Sequence, residues 1–326
     1  MKTVKQYGMG ATSLAMPIIA VVHCLTLYFI SNNILLPLFE IDTESVEGRA
    51  TSVCCSFGNS GVVPLIFAET LFRDQGGDLL QKASSQISLF LLGWSPLFWS
   101  FGRNALLGGL ANKSLQDDEK EMPTLFEKIQ SWKRLFPPPV VGVFIGLILS
   151  IPFLRNLFMS YSHEGIKKIA PLQVVFNCCQ NLGRACSPLA LLVLTSSLAL
   201  GNTKPVTATK QSSQKVDEIP FLKRWCCVSL ARFVLSPCLM IALLTILEKK
   251  NLIGSIRSQD AMSWFILILQ ASMPPAQNSV LMLQVSEQTD EASRLTKFLF
   301  SIYATSMIPV VLVSTILLEK CNFITS

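Results

Sequence analysis

Charge is what this sequence has least of. Of 326 residues, 15% are charged, against roughly 25% in an ordinary soluble domain. Hydrophobic residues make up 50%, and mean hydropathy is +0.47. The charge deficit and the long apolar runs exclude a water-soluble domain and place the chain in a lipid bilayer. The formal net charge of +6 is no nucleic-acid signal. The basic residues are scattered over loops between apolar segments, where they set membrane topology.

Histidine is scarce too: there are 2, His23 and His163. No C-x-x-C pair occurs among the 10 cysteines. Cys54-Cys55, Cys178-Cys179 and Cys226-Cys227 are adjacent pairs. Helix neighbours point about 100° apart, so such a pair chelates poorly. The cysteines read as small apolar packing residues, and no metal or other cofactor is expected. H-E-x-x-H, the P-loop and G-x-S-x-G are all missing, so no enzyme is expected. Gly58-Asn59-Ser60-Gly61 only superficially resembles a phosphate loop, because no lysine follows it. No cleavable signal peptide is read at Met1–Thr12, because the apolar run after Lys2 and Lys5 is too long for an h-region.

The chain does contain eight apolar segments: Ser13–Phe39, Ala50–Leu71, Gln86–Gly102, Pro138–Leu157, Pro171–Leu200, Leu222–Leu247, Ala261–Val285 and Leu295–Leu318. A spanning helix needs about 20 residues, so the pattern predicts an all-α membrane protein of about eight transmembrane helices, the third being short. Residues 103–137 form a polar connector with the run Asp117-Asp118-Glu119-Lys120-Glu121. Gly201–Pro220 is a second polar loop. Lysine and arginine counts put the 103–137 connector on the cytosolic side by a small excess.

Two segments are interrupted near their middles. One holds Gly58-Asn59-Ser60-Gly61-Val62-Val63-Pro64, the other Met273-Pro274-Pro275-Ala276-Gln277-Asn278. Proline removes a donor and glycine loosens a helix. Freed backbone at membrane depth survives where it lines a cavity, and a matched pair of such breaks points to a transporter's substrate site. Asn59 and Asn278 are the candidate ligand amides, against the alternative of capping a kinked helix. Gly58, Gly61, Pro64, Pro274 and Pro275 hold the breaks open. Gln277 either reaches a ligand or bridges two helices. Pro188, Pro237 and Pro309 read as ordinary kinks.

Arg184 and Arg232 lie inside apolar segments, where a charge is costly and faces protein or water. Arg232 has three readings: holding an anionic substrate, pairing with Glu69, or clamping backbone carbonyls. Glu69 reads as an interfacial helix-end carboxylate more than a proton carrier.

At these residues the chain resembles the auxin efflux carrier superfamily, and within it the PIN-LIKES branch. The likeness rests on Phe57–Leu65, Phe136-Pro137-Pro138-Pro139-Val140-Val141-Gly142, Pro188–Leu194, Ala231-Arg232-Phe233-Val234-Leu235-Ser236-Pro237 and Met273–Asn278, in the family's order. It implies a ten-helix carrier of two inverted repeats, whose fourth and ninth helices cross at the site. A small organic anion such as an auxin binds there, and a transport domain moves against a scaffold. Asn59 and Asn278 then match the crossover asparagines, and Pro64 with Pro274 or Pro275 the crossover prolines.

This chain has eight segments, and its first crossover is in the second. The resemblance thus implies that the family's first two helices are absent, through a truncated gene model or a divergent short form. Residues 1–102 are then a first-repeat remnant of three helices, 103–137 the connector, and 138–326 the second repeat of five. The expected function is alternating-access, elevator-type transport of an auxin-like anion in the endoplasmic reticulum membrane, with the plasma membrane as the alternative. A homodimer stays open. A non-transporting sensor of the same ligand class, or an incomplete carrier, is the other reading. Arg184 departs from the acidic residue that related plant proteins tend to carry there.

Overall fold

The computed structural model describes residues 11–73, 77–108, 138–149, 151–159, 161–163, 166–168, 170–203, 219–256, 260–286 and 288–321. The expected connector beyond residue 108 and the 204–218 part of the second polar loop lie outside them. Compactness divides the chain into two units, Met1–Glu121 with Leu200–Ser326, and Met122–Ala199.

In the first unit, α1 (Ala11–Ile30) continues through a π-helical stretch, Ser31–Leu35, into a last turn, Leu36–Leu38. Helices α2 (Val46–Ser56) and α3 (Val62–Phe72) are the two arms of the first interrupted segment. α4 (Gly77–Leu97) runs on through π-helical Phe98–Gly102 into α5 (Arg103–Leu107). The third segment is therefore longer than its apolar run predicted. Gln81, Lys82, Ser84 and Ser85 lowered its hydropathy without breaking the helix, and Asp78 in the first turn suits the helix dipole.

After the second polar loop come α9 (Phe221–Leu230), π-helical Ala231–Leu235 and α10 (Ser236–Lys249). The second interrupted segment gives α11 (Ala261–Ala271) and α12 (Asn278–Val285), and α13 (Thr289–Lys320) closes the unit. Two of the π-helical stretches end two residues before a proline, Pro37 and Pro237. A proline ring crowds the carbonyl four residues earlier, and a widened turn at that point relieves the clash.

The second unit holds α6 (Pro138–Leu149), α7 (Pro152–Phe158), a small hairpin and most of α8 (Gln173–Thr203). The hairpin is a small local exception in an all-helical chain. Strands β1 (Tyr161–His163) and β2 (Ile166–Lys168) pair antiparallel, Tyr161 opposite Lys168. This stretch has no apolar stripe of helical period, so local strand pairing satisfies its backbone instead. The fourth apolar segment is two helices, since Pro152 starts a new one as its first helical residue.

Among the described residues, three helical runs are long and apolar enough to cross a membrane: Ala15–Leu38, Phe221–Lys249 and Thr289–Lys320. Lipid-type exposure accompanies them, with Ile18 68% and Ile308 79% exposed. The core of the first unit is α11. Every residue from Met262 to Ala271 is buried, as expected for a helix that is apolar all round. Polar contacts fix its neighbours. Ser13 and Ser263 share a hydrogen bond of 3.2 Å, Gln86 donates to Ser13 at 2.8 Å, and His23 meets the Ser236 carbonyl at 3.1 Å. Gly93 lets α4 lie directly on α1, because a Cβ there would come 2.1 Å from the Pro17 carbonyl oxygen.

Candidate functional site where two helix breaks meet

The two interrupted segments meet through backbone. Asn59 N–H donates to the Pro274 carbonyl at 2.7 Å, and Ala276 N–H donates to the Phe57 carbonyl at 2.9 Å. Gly58 and Pro275 thus face each other in an antiparallel bridge. Each break supplies what the other lost, since backbone groups released from a helix inside a membrane need partners.

Glycine at 58 is a steric requirement. A Cβ there would sit 2.1 Å from Arg232 Nη2. Arg232 is 1% exposed, and its guanidinium serves the end of α11. Nε and Nη2 donate to the Met273 carbonyl at 3.0 and 2.9 Å, and Nη2 also approaches the Ala271 and Gln270 carbonyls at 3.3 and 3.5 Å. Nη1 reaches Ser236 Oγ at 3.4 Å, and that hydroxyl donates to the Ala271 carbonyl at 2.7 Å. These are the orphan carbonyls that every helix C-terminus leaves. Of its three readings, Arg232 takes the backbone clamp and not the ligand-holding one. The break behind Ala271 puts several carbonyl dipoles at one point, and a five-donor fork suits them better than a distant ligand. Glu69 is not its partner. That side chain is 59% exposed and pairs with Arg73 at 3.8 Å.

The crossing is tied from three further directions. Gln270 Nε2 donates to the Ser60 carbonyl at 3.0 Å. Asn59 Nδ2 donates to Tyr303 Oη at 2.8 Å, and Tyr303 in turn donates to the Pro275 carbonyl at 2.8 Å. The Gln277 backbone also hydrogen-bonds the same tyrosine. Phe57, fully buried, packs edge-on against Phe98 at 5.4 Å and Trp94 at 6.4 Å. Tyr303 was missed by reading the sequence. It is one of 4 tyrosines and sits mid-helix in α13 with no motif around it. A phenol amid an apolar run, needing a partner for its hydroxyl, was the available signal.

Pro64, Pro274 and Pro275 are buried, and Gly61 is half-buried with nothing within 4 Å of an added Cβ. Gln277 and Asn278 are half-buried, and their side-chain amides make no hydrogen bond among the described residues. Ser279, 1% exposed, likewise has no partner for its hydroxyl there. Neither α3 nor α12 is capped by a side chain at its start. Two positive helix ends, two free amides and a hydroxyl therefore collect beside the crossing, a set suited to a small anion. Arg184 lies on α8, and its side chain falls outside the described residues. No cluster of three metal-ligating side chains occurs among the described residues.

Backbone broken within apolar helices, bridged across two segments and flanked by uncapped helix starts, defines a membrane transport protein. The family model for "membrane transport protein" matches residues 1–314, and the chain belongs to that family, the auxin efflux carriers. Among curated proteins it is similar to Protein PIN-LIKES 3 of Arabidopsis thaliana, 23% identical over 263 residues, covering 69% of this chain and 61% of that protein. It is also similar to Protein PIN-LIKES 6 of the same plant, 28% identical over 151 residues, covering 46% of this chain and 30% of that protein. The chain thus spans less than two thirds of the length of either relative. No solved structure matches it.

Proposed function

We propose that this protein carries a small organic anion, auxin-like in chemistry, across a membrane by alternating access, with its site at the crossed breaks. The observation that carries this reading is the antiparallel bridge between Gly58 and Pro275, which brings the uncapped starts of α3 and α12 to one place. Asn278 and Gln277 offer amide donors to the anion. Asn59 holds the tyrosine that frames the site and keeps a second amide hydrogen for a ligand. Arg232 contributes positive potential through the backbone it organises, without touching the ligand. No covalent step is needed. Affinity comes from dipoles and hydrogen bonds in a site shielded from water.

Internal similarity supports a repeat-built carrier. In both halves of the first unit, a rod with a π-helical stretch two residues before a proline precedes a broken helix. With the interrupted segments and the rods around them counted as spans, the reading is of about eight membrane helices from a ten-helix inverted-repeat plan, moving in the elevator manner. The likeness to PIN-LIKES proteins favours the endoplasmic reticulum membrane, which a fluorescent fusion imaged against organelle markers tests.

The functional test is uptake of labelled indole-3-acetic acid into proteoliposomes containing the full chain. Saturable uptake is expected, lowered at least tenfold in affinity by Asn278→Ala, with thermal unfolding unchanged. Equal uptake and affinity in that variant reject the assigned site. Binding with no flux in the wild type rejects the carrier and identifies a sensor.

A further inference from the structure

Buried hydroxyls in this protein have a common way of satisfying themselves. Thr51, Ser56, Ser272, Thr296 and Ser314 each donate to the carbonyl four residues earlier, at 2.7–2.9 Å. A serine or threonine in a helix can do this without help from any neighbouring segment. Ser279 does not. It is the second residue of α12, its side chain is buried, and its hydroxyl has no partner among the described residues.

The break supplies the reason. Four residues before Ser279 stands Pro275, which lies outside the helix and is bridged to Gly58. Its carbonyl is turned into the crossing, where Tyr303 Oη donates to it at 2.8 Å. The carbonyl three residues back, at Ala276, takes the backbone N–H of Ser279 itself at 3.2 Å. Ser31, Ser52 and Ser229 also have hydroxyls without a partner there. Each of them lies within a continuous helical rod, with a helical carbonyl one turn back for a rotated hydroxyl to reach. At Ser279 the break has taken that carbonyl away.

A buried hydroxyl left unserved costs stability, and alanine, a better helix former, would avoid the cost. The position is also a functional one. It follows Asn278, whose side-chain amide is half-buried, at a helix start that no side chain caps. We propose that Ser279 is a specificity-determining residue for the carried anion: its hydroxyl donates to the ligand's anionic oxygen when that oxygen is seated on the start of α12. This rests on the carrier reading above and adds to it a group that prefers a carboxylate to its neutral ester. A hydrogen bond to an ionised acceptor is roughly twice as strong as one to a neutral acceptor.

Binding of labelled indole-3-acetic acid to the full chain in detergent, measured beside thermal unfolding without ligand, tests this. Ser279→Ala is expected to weaken binding about tenfold and to raise the melting temperature of the ligand-free protein. A hydroxyl kept for structure alone gives neither result. Ser314→Ala is the control. It makes the same gain in helix propensity but deletes a hydrogen bond that is made, so its melting temperature should not rise and its affinity should match wild type. Methyl indole-3-acetate, as an unlabelled competitor, should lose only about threefold in Ser279→Ala. Unchanged affinity for the acid in Ser279→Ala, or a lowered melting temperature there, overturns the role of Ser279. Equal losses for acid and ester overturn its preference for charge. Wild-type protein that binds no indole-3-acetic acid rejects the carrier site itself, and this role with it.

Discussion

The first break is made of glycine and asparagine, the second of proline. At the first, Gly58 has given up its side chain so that Arg232 can pass. At the second, Pro274 and Pro275 carry no N–H, and their carbonyls accept from Asn59 and Tyr303. The arms differ as well. α11 is buried on all sides, whereas α3 buries only Pro64, Ala68 and Phe72, one stripe of a helix. The deep arm brings the orphan carbonyls, and the arginine that serves them comes from a third segment. The lesson is a division of labour. Both breaks accept hydrogen bonds from across the crossing, but only the first is also shaped to yield space.

Removing the clamp breaks this arrangement most severely. Arg232→Ala leaves the buried Met273 carbonyl unserved, strips one donor each from Gln270 and Ala271 and opens a cavity, and is expected to cost about 2–5 kcal/mol, read as a fall in melting temperature in detergent. Arg232→Lys should recover only part of it, since one ammonium cannot fork across Met273 and Ala271. The glycines sharpen the same contrast. Gly58→Ala should cost about 1–3 kcal/mol by overpacking against the guanidinium. Gly61→Ala, with open space around its Cβ, should stay within about 0.5 kcal/mol of wild type. Equal effects at the two positions would refute the steric account of the first break.

Tyr303→Phe removes the hydroxyl between Asn59 and the Pro275 carbonyl. It is expected to cost about 1–3 kcal/mol, with anion affinity falling alongside as the two breaks loosen. The smallest effect belongs to a contact far from either break. Glu40 hydrogen-bonds and pairs with Lys223 at 2.5 Å, which holds its carboxyl below the ordinary carboxylate range. A depressed folded-state value means that its contribution is complete above the unfolded value and fades as pH falls through the folded one. Both groups are exposed, so the acid limb of the melting curve should shift only slightly in Lys223→Ala. A large shift would show that this pair is more than a surface contact.

Much of the site's location was legible in the sequence because its cause is local. Proline and glycine disturb a helix wherever they stand, and low charge with long apolar runs marks a membrane chain without knowledge of any neighbour. Asn59, Asn278 and the prolines were found that way. Helix length was less legible. Polar faces around Gln81–Ser85 hid the start of α4, because hydropathy averages over a helix while packing reads one face at a time.

What residues alone determined, then, was the chain's solvent and the places where its helices give way, since both follow from side-chain polarity and backbone freedom at single positions. Tertiary structure decided which groups those gaps would meet. Arg232 had three chemically sound partners on paper, and Tyr303 had no motif at all. Only the approach of the π-helical stretch Ala231–Leu235, α11 and α13 put the guanidinium on the carbonyls of Gln270, Ala271 and Met273, and the phenol between Asn59 and Pro275. Hydrogen bonds reach about 3 Å, so such partnerships exist only once segments distant in sequence are packed side by side.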